Sequence, residues 1–154
     1  MMQLKYEQDF HGWLNDQIEL LKQGRTAEVD AKNLIEELEG MAGRDRSELV
    51  SHFKILIAHL LKWQFQLNQL SDRWSEFKGD SWRDTIIEQR SEIADQLENS
   101  PSLKSYLSEA ITKSYPKAVA LAADETRLSV MIFPTTCPYT FEQLLDKQFY
   151  PMSQ

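Results

Sequence analysis

The chain has 154 residues, 42% hydrophobic and 27% charged, with 24 acidic against 17 basic side chains and a formal net charge of −7. That length suits one domain with a substantial core, and the composition excludes a disordered chain. The acidic surplus argues against general binding to nucleic-acid backbone or anionic membrane, both of which need a surplus of Lys and Arg.

Cys137 is the only cysteine, so an intrachain disulfide or thiolate cluster is excluded and a reducing compartment fits. The opening "MMQLKYEQDF" lacks the basic start, apolar centre and cleavage site of a secretory signal. No apolar run approaches the roughly 18 residues of a membrane span. The expectation is a soluble, cytoplasmic protein with no membrane partner.

Taken in chain order, Phe10, Trp13, Leu14, Ile18 and Leu21 fall on one face of a helix stopped by Gly24. Asp30 is placed to cap "AKNLIEELEGMAG", where Leu34, Leu38 and Met41 share a face and Gly40 and Gly43 mark a kink or break. From about Arg44 to Leu70 the residues Leu49, Phe53, Leu56, Ile57, Leu60 and Leu61 make a wide apolar arc, the pattern of a central helix. "SDRWSEFKGD" reads as a connection, after which Asp80 or Ser81 caps a helix carrying Trp82, Ile86, Ile93 and Leu97. Ser100 and Pro101 repeat a helix start, and Pro116 kinks or splits the helix that follows. In the tail, "SVMIF" is the best strand candidate, and Thr140 with Gln143 forms a capping box for a short helix. The sum is an all-α fold, a helical bundle of five to seven helices in a single domain over 1–154, with a proline-punctuated C-terminal arm over 128–154.

His52 and His59 are seven residues apart, two turns or about 10.5 Å along a helix, too far to share one ion. A metal site would need carboxylates from elsewhere, and Glu36 with Glu39, at i and i+3, would supply them. The plainer reading places His59 at the core edge, donating a ring hydrogen bond and packing on Trp63, and lets His52 face water. Glu36, Glu37 and Glu39 read as a solvated face, and Cys137 in "TTCPYT" as a packed thiol. The pairs Arg73 with Trp74 and Trp82 with Arg83 suggest base stacking, but Asp72, Glu76, Asp80 and Asp84 interleave with them, so Arg stacked on Trp beside a carboxylate is preferred. There is no phosphate loop, no nucleophile elbow and no dinucleotide fingerprint.

The stretches "YEQDFHGWL", "NLIEELEGM", "HLLKWQFQ", "SWRDTIIEQR", "SPSLKSYL" and "FPTTCPYTFEQLLD" resemble the bacterial family known as domain of unknown function twenty-nine, in the family's order and through almost the whole chain. The resemblance implies an all-helical fold and brings no assigned activity and no catalytic residue.

Three functional readings follow. The first is a non-catalytic interaction or regulatory protein that pairs with itself or another protein, with no cofactor, through a face that includes Trp82, Arg83 and Arg90 and the line Trp82, Ile86, Ile93. The second is a metal-assisted or acid–base hydrolase, with His59 as base or ligand, Glu36 or Glu39 as its carboxylate, and a divalent metal as cofactor. The third, nucleic-acid binding, needs Arg73, Arg83 and Arg90 in one exposed stripe, and the charge balance disfavours it.

Overall fold

A computed structural model describes residues 2–67 and 72–152, with side chains over 4–67 and 78–152. Six α-helices follow one another: α1 (Met2–Gln8), α2 (Phe10–Lys22), α3 (Ala31–Phe65), α4 (Asp72–Asn99), α5 (Leu107–Thr126) and α6 (Phe141–Leu145). The described residues contain no strand, and the fold is an all-α bundle. No described helix is long and apolar enough to cross a membrane. Backbone contacts divide the chain into two compact units, Met1–Asp45 and Arg46–Gln154.

In the N-terminal unit Asp9 separates α1 from α2, and its carboxylate accepts from the Gly12 N–H at 3.0 Å and starts α2. At Gly12 a Cβ would stand 2.4 Å from the Asp9 carboxylate, so a side chain there would displace the capping group. Gly24, at φ +72°, ends α2 and turns its own N–H back to Leu21 and that of Arg25 back to Leu20.

The centre of this unit is a polar knot. Asp30 accepts from Trp13 Nε1 at 2.9 Å, from Asn33 Nδ2 at 2.8 Å and, more weakly, from the Asn33 N–H, the bond of a helix cap. Gln17 Oε1 accepts from the Asp30 N–H at 2.7 Å. Trp13, Gln17 and Asn33 are all buried, and the hydrogen bonds of Asn33 and Trp13 hold the Asp30 carboxyl below its usual range. Tyr6, Phe10 and Trp13 stack with centroids 4.6–5.8 Å apart, and Tyr6 donates to Glu37, which pushes its hydroxyl up to about 12.

Gly40 and Gly43 do not end the helix: α3 runs through both for 35 residues. A glycine inside a helix costs only about 1 kcal/mol relative to alanine, and the flanking residues outweigh it. The same holds at Gly79. The expected connection "SDRWSEFKGD" lies largely within α4, so Asp80 and Ser81 are interior residues rather than caps.

The larger unit has an apolar core. Leu49, Phe53, Leu56, Ile57, Leu60 and Leu61 of α3 are fully buried with Ile86 and Ile93 of α4 and Leu144 of α6. Each such side chain contributes roughly 1.5–3 kcal/mol by leaving water. Along α5 every fourth residue is small and buried, Ala110, Ser114, Ala118, Ala122 and Thr126, a ridge that lets neighbouring helices approach closely. Pro116 sits on the exposed side of α5 without splitting it, because the helix bond it removes lies on the solvent side. Ser100 and Pro101 start a short 3-10 helix, Pro101–Tyr106, that leads into α5.

"SVMIF" is not a strand. Ser129 accepts from the Met131 N–H at 3.2 Å and winds Val130–Ile132 into a 3-10 turn, with Met131 86% exposed. The Thr140 and Gln143 capping box is present and opens α6.

Candidate functional site

The wide apolar arc of α3 carries one cation into the core. Lys62 is only 3% exposed, and a buried ammonium needs charged and polar partners. Glu125 of α5 supplies the carboxylate, and the Trp82 ring lies 5.2 Å from the Lys62 ammonium. His59 completes the group. Its Nδ1 donates to Ile55 O at 2.9 Å, which leaves Nε2 as the acceptor facing Lys62 Nζ at 3.3 Å. Burial and the neighbouring ammonium both lower the His59 pKa, so the ring is neutral. Both ring nitrogens are occupied, and neither is free to take a proton from a substrate. The trio pins α3 to α5 beneath α4.

The other residues singled out in the sequence fall as follows. His52 does not simply face water: its Nδ1 meets Gln89 Oε1 at 2.8 Å, and Nε2 lies 3.5 Å from Glu48 without hydrogen-bond geometry. Glu36 and Glu39 belong to the N-terminal unit, where both are exposed, whereas His59 finds its partners within the larger one. Among the described residues no group of three or more His, Cys, Asp or Glu is arranged to hold a metal ion. Cys137 is half-buried, with its thiol pushed up by burial and directed to Tyr139 O at 3.6 Å.

Trp82, Ile86 and Ile93 do not form a face for a partner. They are buried in the chain's own core, at 7%, 0% and 0% exposure. Arg90 is likewise interior, and this removes a member of the exposed arginine stripe. Its Nε donates to Leu144 O at 2.7 Å, and its Nη2 donates to Gln143 O at 3.2 Å and Phe149 O at 2.8 Å. A helix end leaves its last carbonyls without partners, and Arg90 satisfies those of α6 while fastening the segment after it. Arg83 is exposed, and its guanidinium lies 5.5 Å from both the Trp63 and Tyr150 rings. The side chains of Arg73 and Trp74 lie outside the described residues.

Exposed apolar surface concentrates elsewhere. Among the described residues, seven of the twelve exposed large hydrophobic ones belong to the N-terminal unit: Leu4, Phe10, Ile18, Leu21, Ile35, Leu38 and Met41. On α2, Phe10, Ile18 and Leu21 keep to one stripe at helical spacing, and on α3 Ile35, Leu38 and Met41 fall within an arc of about 120°. The same unit holds a cleft of about 630 Å³ floored by Trp13 and Leu20. The charges at its rim already pair with each other, Lys5 with Asp16 at 2.6 Å and Arg25 with Glu28 at 2.5 Å.

An all-α fold defines a class rather than an activity. The family model described as "Domain of unknown function DUF29" matches residues 5–150, and the chain belongs to that family. Neither a curated protein nor a solved structure matches the chain.

Proposed function

We propose that the chain is an interaction protein whose N-terminal unit receives an amphipathic helix from a basic partner protein. The observation that carries this reading is the mismatch between what that unit buries and what it exposes. Trp13 is its one buried apolar residue among those described, against seven large hydrophobic side chains in water. A unit of about 45 residues is near the size at which a chain rarely stabilises itself by its own core, so such stripes call for a cover.

Charge chooses the occupant. Residues 1–45 hold ten acidic and five basic side chains, a net −5 of the chain's −7. A second copy would bring the same negative charge to the interface, whereas a helix flanked by Lys and Arg is attracted to it. Stripes at helical spacing on α2 and α3 suit the i, i+3, i+4 and i+7 anchors of such a helix.

The test uses the full chain with a designed Leu/Lys amphipathic peptide and a Leu/Glu peptide with the same apolar face. Calorimetry should detect the lysine peptide only, more weakly at high salt, and lose it in the Leu38→Gln/Met41→Gln variant. Binding that survives in that variant, or no binding by the lysine peptide, overturns the proposal. So does a stable dimer that the same variant dissolves, because the face would then belong to a second copy.

A further inference from the structure

We infer that the larger unit carries a binding site for a small phosphomonoester, built from Ser47, Ser51 and Lys54 of α3 with Tyr106, Lys113 and Lys117. These residues, with Val50, line a cavity of about 330 Å³. Ser47, Ser51 and Lys54 stand at i, i+4 and i+7, and Lys113 and Lys117 at i and i+4, so each helix turns one consistent face to the cavity.

The lining is made of donors. It offers three ammonium groups, two hydroxyls and a phenol, and contains no carboxylate. In a chain with a net charge of −7 such a concentration of positive charge is not what composition delivers. Among the described residues Lys113 alone of the three makes an ion pair, with Glu109 at 3.7 Å, and its ammonium also lies 5.6 Å from the Tyr106 ring. Lys54 and Lys117 make no ion pair among the described residues, although Lys54 is half-buried. Lys113 and Lys117 are exposed and Lys54 is half-buried, and an anion seated among the three is attracted by each ammonium at short range.

The ligand's chemistry follows from this inventory. A group that accepts hydrogen bonds on all sides and carries about two negative charges, a phosphate, matches ammonium and hydroxyl donors better than a single carboxylate does. The cavity is at the small end of ligand sites, which run to about 300–1,000 Å³. That volume leaves room for an organic body beside the phosphate, with Val50 and the Tyr106 ring as its apolar walls. An extended nucleic acid is disfavoured, because the rest of the chain repels a polyanion.

Inorganic phosphate and phenyl phosphate are the probes, titrated into the isotope-labelled full chain and followed by amide NMR. Expected are saturating shifts at Ser47, Ser51 and Tyr106, with phenyl phosphate binding at least about tenfold more tightly than phosphate. The Lys54→Gln/Lys117→Gln variant, whose remaining amide spectrum reports an intact fold, should weaken both by about tenfold or more. Shifts that do not saturate by about 10 mM, or that are unchanged in the variant, overturn the site. Equal affinity for the two probes overturns the organic body and leaves an anion site alone. The result is independent of partner binding by the N-terminal unit, so either proposal can fail without the other.

Discussion

The two units solve the burial problem in opposite ways. Among the described residues, 46–152 pack twenty-two apolar side chains to below a tenth of their free exposure, and bury Lys62 against the Glu125 carboxylate and Arg90 against backbone carbonyls. Residues 2–45 put hydrogen bonds at the centre, Trp13 to Asp30 to Asn33 and Gln17, and leave most apolar side chains outside. Hydrogen bonds contribute about 1 kcal/mol each, net, and buried aliphatic groups two or three times as much. The first unit therefore has a defined shape but a modest margin of stability.

Perturbations of the two units should differ in kind. Phe53→Ala, in the fully buried α3 seam, should cost about 3–5 kcal/mol in urea unfolding of the full chain. Arg90→Ala should cost about 3 kcal/mol, and its hydrogen-exchange signature should be faster exchange over α6 and the segment to Phe149, whose carbonyls it holds. Trp13→Phe keeps an aromatic ring, smaller than the indole, and loses the bond to Asp30. A loss of about 1 kcal/mol is expected, read as faster exchange within residues 2–45 rather than as a shift of the global midpoint.

His59 gives the comparison a pH axis. Its folded pKa lies below the ordinary 6.5, so the unfolded chain takes up a proton first. The stability tied to its neutral ring is complete above about pH 6.5 and is lost as the pH falls through and below that value. The melting temperature of the wild type should therefore drop more than that of His59→Gln between about pH 7.5 and 5.5. Equal slopes would mean that the ring is not held neutral by Lys62 and burial. Smallest of all, Leu38→Gln with Met41→Gln should change stability by no more than about 0.5 kcal/mol, because both side chains are already in water, and should act only on partner binding.

Much of the bundle was legible. Helical periodicity exposes the faces of α2, α3, α4 and α5, and Asp30, Gly24 and the Thr140 capping box mark ends that the fold uses. Periodicity says that a face is apolar, not that anything covers it, so Leu38 and Met41 read like Leu56 and Ile57 although only the latter are buried. Single glycines mislead in the other direction, since Gly40, Gly43 and Gly79 all lie inside helices.

The polar groups were harder. Lys62 stands in the most apolar arc of the chain, a signal that it needs a partner, but Glu125 lies 63 residues away and nothing local points to it. Arg90 recognises backbone carbonyls, which have no sequence identity at all. The lysines of the α3 and α5 cavity are separated by dozens of residues, and only packing brings Lys54 to Lys113 and Lys117.

Hydrogen exchange on the full chain, alone and with the Leu/Lys amphipathic peptide, tests most directly whether the N-terminal unit is a docking surface. The expected result is faster exchange in α2 and residues 31–45 than in residues 53–61 for the free chain, with the peptide slowing only the former. Equal exchange in the two regions, or a peptide that leaves α2 and residues 31–45 unchanged, would contradict it.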